Sequence, residues 1–305
     1  MPVNRPAVCA VDGGGTKTLA IVLDQDGIER GRAVTGPSNY AAGETERVVT
    51  NITAAVEAAL TAAGTALSLT ALWVGLAGID RPGARAAIEA QLSHLAGDVR
   101  LTNDAQLLFG AFPDEAGIVL IAGTGSIALG QDHAGRTARA GGWGYLIGDE
   151  GSGYDLGRRA IRAAAKAADG RGLQTSLLPA LLAHWNIEEP LHIIDQVYRE
   201  RDKAAIADCA RLVFDAADAW DPVASHIVQS GAAELATAAG AVEQALAFEN
   251  TPVSLVLAGS LLVERERYRH MLLERIDQQF DLGAVHIVDE PALMAARHLV
   301  RTHAS

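Results

Sequence analysis

Short apolar bursts separated by Gly-rich punctuation open the chain, whereas residues 154–248 are Ala-rich and keep a helical spacing over most of their length. Residues 7–11 (Ala-Val-Cys-Ala-Val) and 19–23 (Leu-Ala-Ile-Val-Leu) read as strands around the turn Asp12–Thr16, with another turn at Asp24–Gly27. That predicts a hairpin. Helical spacing follows over Glu46–Ala63 with Gly64 as the stop, then a strand at Leu72–Leu76, a helix over Gly83–Leu95 and a strand at Val99–Leu101.

The pattern restarts near residue 117. Ile118–Ala122 and Ile127–Leu129 read as strands around Gly123-Thr124-Gly125-Ser126, with a turn at Gly130–Gly135. Aligning Gly13-Gly14-Gly15-Thr16 with Gly123-Thr124-Gly125-Ser126 suggests two halves built on one plan, with a boundary near residue 115. The helical region ends in a long periodic stretch, Val223–Phe248. A strand at Val253–Leu257, the turn Ala258-Gly259-Ser260, one helix over Leu261–Phe280, a strand at Val285–Val288 and a helix after Pro291 complete the chain. Strands and helices mix throughout, so the fold class is α/β.

A chain of 305 residues suffices for two domains, and a net charge of −12 without a basic patch argues against nucleic-acid or anionic-membrane partners. Met1–Ala7 carries no apolar leader and no run is long enough to span a bilayer, which predicts a cytoplasmic protein. Cys9 and Cys209 are too few for a disulfide framework or zinc ribbon, and the histidines, His133 among them, show no ligand spacing. Any metal must therefore be held by oxygen.

Two phosphate-binding designs fail on context. A Walker loop needs Gly before its Lys, but Thr16 precedes Lys17 and a β-rich run follows. Gly123, Gly125 and Ala128 match a dinucleotide fingerprint formally, yet no helix opens after them. Two hairpin turns remain, with small residues that let backbone N–H groups approach phosphate and a hydroxyl residue at the end of each. Either turn alone could be an ordinary Gly hairpin.

The chain resembles the N-acetylglucosamine kinase branch of the BadF/BadG-type ATPases, in the superfamily of actin, hexokinase and Hsp70. The resemblance rests on Val11–Thr18, Gly75–Gly78, Thr102–Ala105, Ile121–Ser126, Gly141–Gly144, Gly148–Gly153 and Leu257–Ser260. It implies a two-domain actin-like (ribonuclease H-like) fold that closes on ATP and substrate in the interdomain cleft. The domains would be 1–115 and 116–289, with the terminal helix of about 290–305 packing back on the first. It further implies that Gly13, Gly14, Gly15, Thr16 and Lys17, Gly123, Thr124, Gly125 and Ser126, and on the adenosine side Gly259 and Ser260, bind ATP. Asp12 would help place Mg²⁺ through water.

Phosphoryl transfer to an alcohol needs a carboxylate at the attacking hydroxyl. Asp104, between a strand end and an expected helix over Ala105–Phe112, is the candidate base, with capping of that helix as the competing reading. The resemblance assigns the base to it, and assigns Asn39, Gly142, Trp143 and Asp149, together with Asp104, to an amino-sugar acceptor. On residue grounds Trp143 could equally be a core Trp, Asn39 an ordinary loop residue, and Ala258-Gly259-Ser260 a common strand–helix turn. Glu150 receives no role.

The expected activity is ATP-dependent phosphorylation of the 6-hydroxyl of N-acetylglucosamine. Glucosamine and N-acetylmuramate kinases are alternatives, as is an ATP-driven conformational partner without a sugar acceptor. The cysteines of iron–sulfur and zinc-bearing relatives are absent. A homodimer fits the family, but no segment establishes an interface.

Overall fold

A computed structural model describes residues 5–40, 44–64, 67–79, 84–248 and 251–303. The N-terminal Met1–Asn4, the expected helix start Gly83 and the last two residues lie outside the described set. Two compact units form: Met1–Glu115 with Glu290–Ser305, and Ala116–Asp289.

The first unit is built on β1 (Arg5–Gly13), β2 (Thr18–Asp24), β3 (Glu29–Thr35), β4 (Leu67–Leu76) and β5 (Asp98–Thr102), in sheet order β3-β2-β1-β4-β5. β2 is buried at every position because both sheet faces are covered. Strand alternation sends Ala20 and Val22 into a cluster with Val48, Ile52 and Val56 of the helix Thr45–Ala62. Leu19, Ile21 and Leu23 go the other way, against Ala292, Ala295, Ala296 and Leu299 of the final helix, Pro291–His303. His298 of that helix lies 2.9 Å from the Glu115 carboxylate. Burial alone would raise the Glu115 carboxyl, but hydrogen bonds from His298 and Arg100 outweigh it and hold it down at about 2.

The second unit repeats the plan with β6 (Gly117–Ala122), β7 (Ser126–Gln131), β8 (Thr137–Gly141), β9 (Val253–Ala258) and β10 (Leu282–Val288), in order β10-β9-β6-β7-β8. The helix Pro222–Leu246 lies so close to β7 that a Cβ on Gly130 would come within 2.4 Å of Val242.

β3 and β8 go beyond the expected hairpins. Each is a largely exposed outer strand, Glu-Arg-Gly-Arg-Ala-Val-Thr and Thr-Ala-Arg-Ala-Gly, so neither carries the apolar run that marks a strand. The single helix expected over Leu261–Phe280 is two, Ser260–Glu264 and Glu266–Asp277, because Arg265 leaves helical geometry at φ −99° and ψ 82°.

Candidate active site

Parallel register sets Asp12 of β1 beside Gly75 of β4, and Gly75 beside Thr102 of β5. Asp104 follows two residues later, so both carboxylates arrive at one end of the same sheet. Asp104 opens the 3-10 segment Asp104–Ala111 one residue after the cap position, and its Oδ1 also accepts from Ala105 N at 3.0 Å. Asn103 is the cap, its side chain accepting from Ala105 N at 3.0 Å while the Gln106 side chain accepts from Asn103 N at 3.1 Å. A Cβ on Gly75 would stand 2.5 Å from Leu107 and 3.0 Å from the Asp104 Cα. Glycine there lets the segment close on the sheet.

The Asp12 carboxyl is raised to about 6, first by burial and then by the Asp104 charge, with Lys17 opposing. Two carboxylates in mutual repulsion suit a divalent cation, and Mg²⁺ commonly uses one or two carboxylates together with phosphate and water. Among the described residues no group of three or more His, Cys, Asp or Glu could cage a metal.

The first turn leaves Gly14 to Lys17 outside the ladder, which closes on Gly13 opposite Thr18, and Gly14 N donates to Lys17 O at 3.0 Å. Gly15, Thr16 and Lys17 are exposed. The segment carrying Asn39 is tied to this turn, since Ser38 N and Asn39 N both donate to Gly14 O at 3.1 Å. Arg47 holds it from behind through Pro37 O at 2.6 Å and Asn39 O at 3.2 Å. Composition alone gave no hint of Arg47.

The second turn is shorter, closing on Ala122 opposite Ser126. This changes the internal alignment. Ser126 corresponds to Thr18, the first residue of β2, rather than to Thr16. Both hydroxyls are buried and donate to a neighbouring loop carbonyl, Thr18 to Gly36 O at 2.6 Å and Ser126 to Glu150 O at 2.7 Å. The exposed hydroxyl residue of the second turn is Thr124.

Gly259, at φ 86°, packs so tightly on β6 that a Cβ would meet Ala122 O at 2.5 Å, which brings Ser260 beside Gly123. The helix begun at Ser260 is only five residues long, so this corner offers close backbone approach rather than a long helix's field. Gly123, Thr124 and Ser260 line a cavity of about 310 Å³ with Asp208, Arg211 and Phe214. An adjoining cavity of about 180 Å³ shares Phe214 and Arg265 with it but reaches neither Gly123 nor Ser260.

Trp143 is 71% exposed, so it is not a core residue. It follows Gly141 and Gly142, which sit at φ 71° and 69°, and the Arg139 guanidinium lies 5.8 Å from its ring. Asp149 is the opposite case, 5% exposed and in left-handed geometry at φ 59°. Its carboxylate lies under Gly125, where a Cβ would approach Oδ2 to 2.7 Å, and accepts from Lys203 Nζ at 3.0 Å. Lys203, remote in sequence, was not among the expected residues. Structure thus groups Asp12 and Asp104 with the first turn, and Asp149, Gly259 and Ser260 with the second.

A sequence model of the BadF/BadG/BcrA/BcrD ATPase family matches residues 10–291. An N-acetylmuramic acid/N-acetylglucosamine kinase of Clostridium acetobutylicum is 36% identical over 260 residues, covering 84% of this chain and 85% of that protein. An N-acetyl-D-glucosamine kinase of Dictyostelium discoideum is 29% identical over 245 residues, covering 75% and 77%. A crystallised candidate N-acetylglucosamine kinase of Chromobacterium violaceum superposes with a TM-score of 0.73 at 28% identity, covering 98% of this chain and 99% of that one.

Proposed function

Because the chain belongs to the BadF/BadG/BcrA/BcrD ATPase family, with the two-sheet α/β architecture of actin-like kinases, we propose that it moves the γ-phosphate of ATP to the 6-hydroxyl of N-acetylglucosamine. The observation that carries this reading is the pairing of Asp104 with Asp12 at one sheet end, where Asn103 rather than Asp104 serves as the cap. A carboxylate held beside a phosphate turn is what a base for an attacking alcohol requires.

In this reading Asp104 orients the acceptor hydroxyl and takes its proton as the O–P bond forms, while the bond to the ADP oxygen breaks. Backbone N–H groups of Gly13 to Thr16, with Lys17, hold phosphate oxygens. Those of Gly123 to Ser126, with Thr124 supplying the exposed hydroxyl, also serve phosphate, and Gly259 and Ser260 approach the nucleoside side. Asp12 is the residue that would help hold Mg²⁺, and the ion when bound would offset charge on the phosphates. Asn39, Gly142, Trp143 and Asp149 contact the amino sugar, with the exposed Trp143 ring serving as a wall for a sugar face.

The name of the Clostridium relative supports N-acetylmuramate as a second acceptor. A coupled ADP-release assay over N-acetylglucosamine, glucosamine and N-acetylmuramate, repeated on Asp104→Asn, tests the reading. Stimulation by an amino sugar, and a fall of roughly 10²-fold or more in kcat for the variant, are expected. ADP release indifferent to every sugar would instead identify a conformational ATPase.

A further inference from the structure

Lys203 opens the helix Lys203–Asp208, held by the Asp202 side chain accepting from Ala205 N at 2.9 Å. Its ammonium reaches back to Asp149 Oδ2 at 3.0 Å and stands 5.3 Å from the Tyr145 ring. Tyr145 packs edge-on to Tyr154, with centroids 5.0 Å apart. The loop carrying Asp149 is laced to the second turn at several points: Gly153 N donates to Gly123 O at 2.7 Å, Tyr154 N to Thr124 O at 3.3 Å, and Ser126 to Glu150 O. Further along the same helix, Ala204 and Ala207 line the cavity that begins at Gly123 and Ser260.

The loop around Asp149, through Glu150, Gly153 and Tyr154, therefore has backbone ties to the nucleotide-side turn, and among the described residues Lys203 is the cation paired with the Asp149 side chain. Its carboxylate is nearly sealed from solvent, and a buried carboxylate without a partner carries a large desolvation penalty. Lys203 supplies that partner while 36% of its side chain stays exposed, so it compensates the charge from the rim. It donates to Oδ2 and so fixes which carboxylate oxygen is committed and which is left to accept from another group.

We propose that Lys203 is a positioning residue for the acceptor: it locks the Asp149 carboxylate against Gly125 with one oxygen committed, leaving the other for a sugar hydroxyl. The inference rests on the amino-sugar reading of this site. It makes the helix Lys203–Asp208 a shared element, with its first residue serving the acceptor and its next turn lining the nucleotide cavity.

The test is steady-state kinetics on the full chain with Lys203→Met and Lys203→Arg, varying the acceptor and ATP separately. Lys203→Met should raise KM for the amino sugar about 10-fold or more, while KM for ATP stays within about twofold, as expected for a misplaced binding group. Lys203→Arg, which keeps the cation, should recover most of the loss. Equal increases in both KM values, or no change in either, would overturn the inference, because a purely structural ion pair disturbs the two sites alike. Asp149→Asn/Lys203→Met removes the buried charge together with its partner and guards against misfolding of the single variant. It should melt near wild type yet keep the raised acceptor KM, and a wild-type KM in it would also overturn the inference. If the parent protein phosphorylates no amino sugar, the functional reading fails and this one with it; an active parent with an unselective Lys203→Met removes this inference alone.

Discussion

Asp12 and Asp104 illustrate how position changes the ionisation of an ordinary acid. With the Asp12 carboxyl at about 6 against an ordinary 3.8, the folded state holds the proton more tightly than the unfolded one. Ionising it costs stability, and that cost grows as pH rises from about 4 through 6 and is complete above. Asp12→Asn should therefore stabilise the ligand-free protein at pH 7–8 by on the order of 1–3 kcal/mol and so raise its melting temperature, with the gain shrinking toward pH 4. Thermal melts of both proteins across that range check it, and a gain independent of pH would disprove the charge repulsion. The same variant should lose kinase activity. Glu115 runs the other way: held down at about 2, it stabilises above its unfolded value near 4.5 and loses that contribution as pH falls toward 2.

At the scale of elements, the 3-10 segment Asp104–Ala111 is the piece whose placement matters most. Its cap, the glycine beneath it and the helix behind it each fix one degree of freedom. Asn103→Ala removes the cap and should cost about 1 kcal/mol, measured by chemical denaturation, with a fall in kcat because Asp104 is the next residue. Gly75→Ala would drive a methyl into Leu107 and the Asp104 backbone, so about 1–3 kcal/mol of stability should go, and kcat should drop more than KM for ATP rises. Behind the segment, Gly110 lets the final helix approach, since a Cβ there would lie 2.9 Å from the Ala295 Cα, and Arg301 donates to Gly110 O at 2.8 Å. The segment is irregular, and its apolar positions, Leu107, Leu108 and Phe109, form a run that any helix type could produce. Sequence periodicity accordingly gave an ordinary helix over residues 105–112.

For the molecule as a whole, the two units differ in how the chain makes them. The second is one continuous stretch with its own core, whereas the first needs the final helix, which supplies Ala292, Ala295, Ala296 and Leu299 to one face of its sheet. Residues 1–115 expressed alone should fail to give a cooperative thermal transition, and adding a peptide of residues 290–305 should restore one. Residues 116–289 should melt cooperatively by themselves. Circular dichroism on the three samples decides, and a cooperative transition in 1–115 alone would remove the argument. No helix among the described residues is long and apolar enough to cross a membrane.

Local physics in the sequence determined the buried strands, the two Gly-rich turns and Asp104 as an acid at a strand end, because apolar runs, glycine and acidic strand ends leave marks within a few positions, whereas Asn39, Gly142, Trp143 and Asp149 entered through the family resemblance. β3 and β8 escaped because exposed outer strands need little apolar surface. Tertiary structure alone decided that Ser126 answers to Thr18, that Trp143 is exposed, and that Lys203 neutralises Asp149. The first depends on ladder closure and the last on a contact between residues far apart in the chain. Such contacts are set by packing and by the cost of burying an unpaired charge, neither of which has a local period.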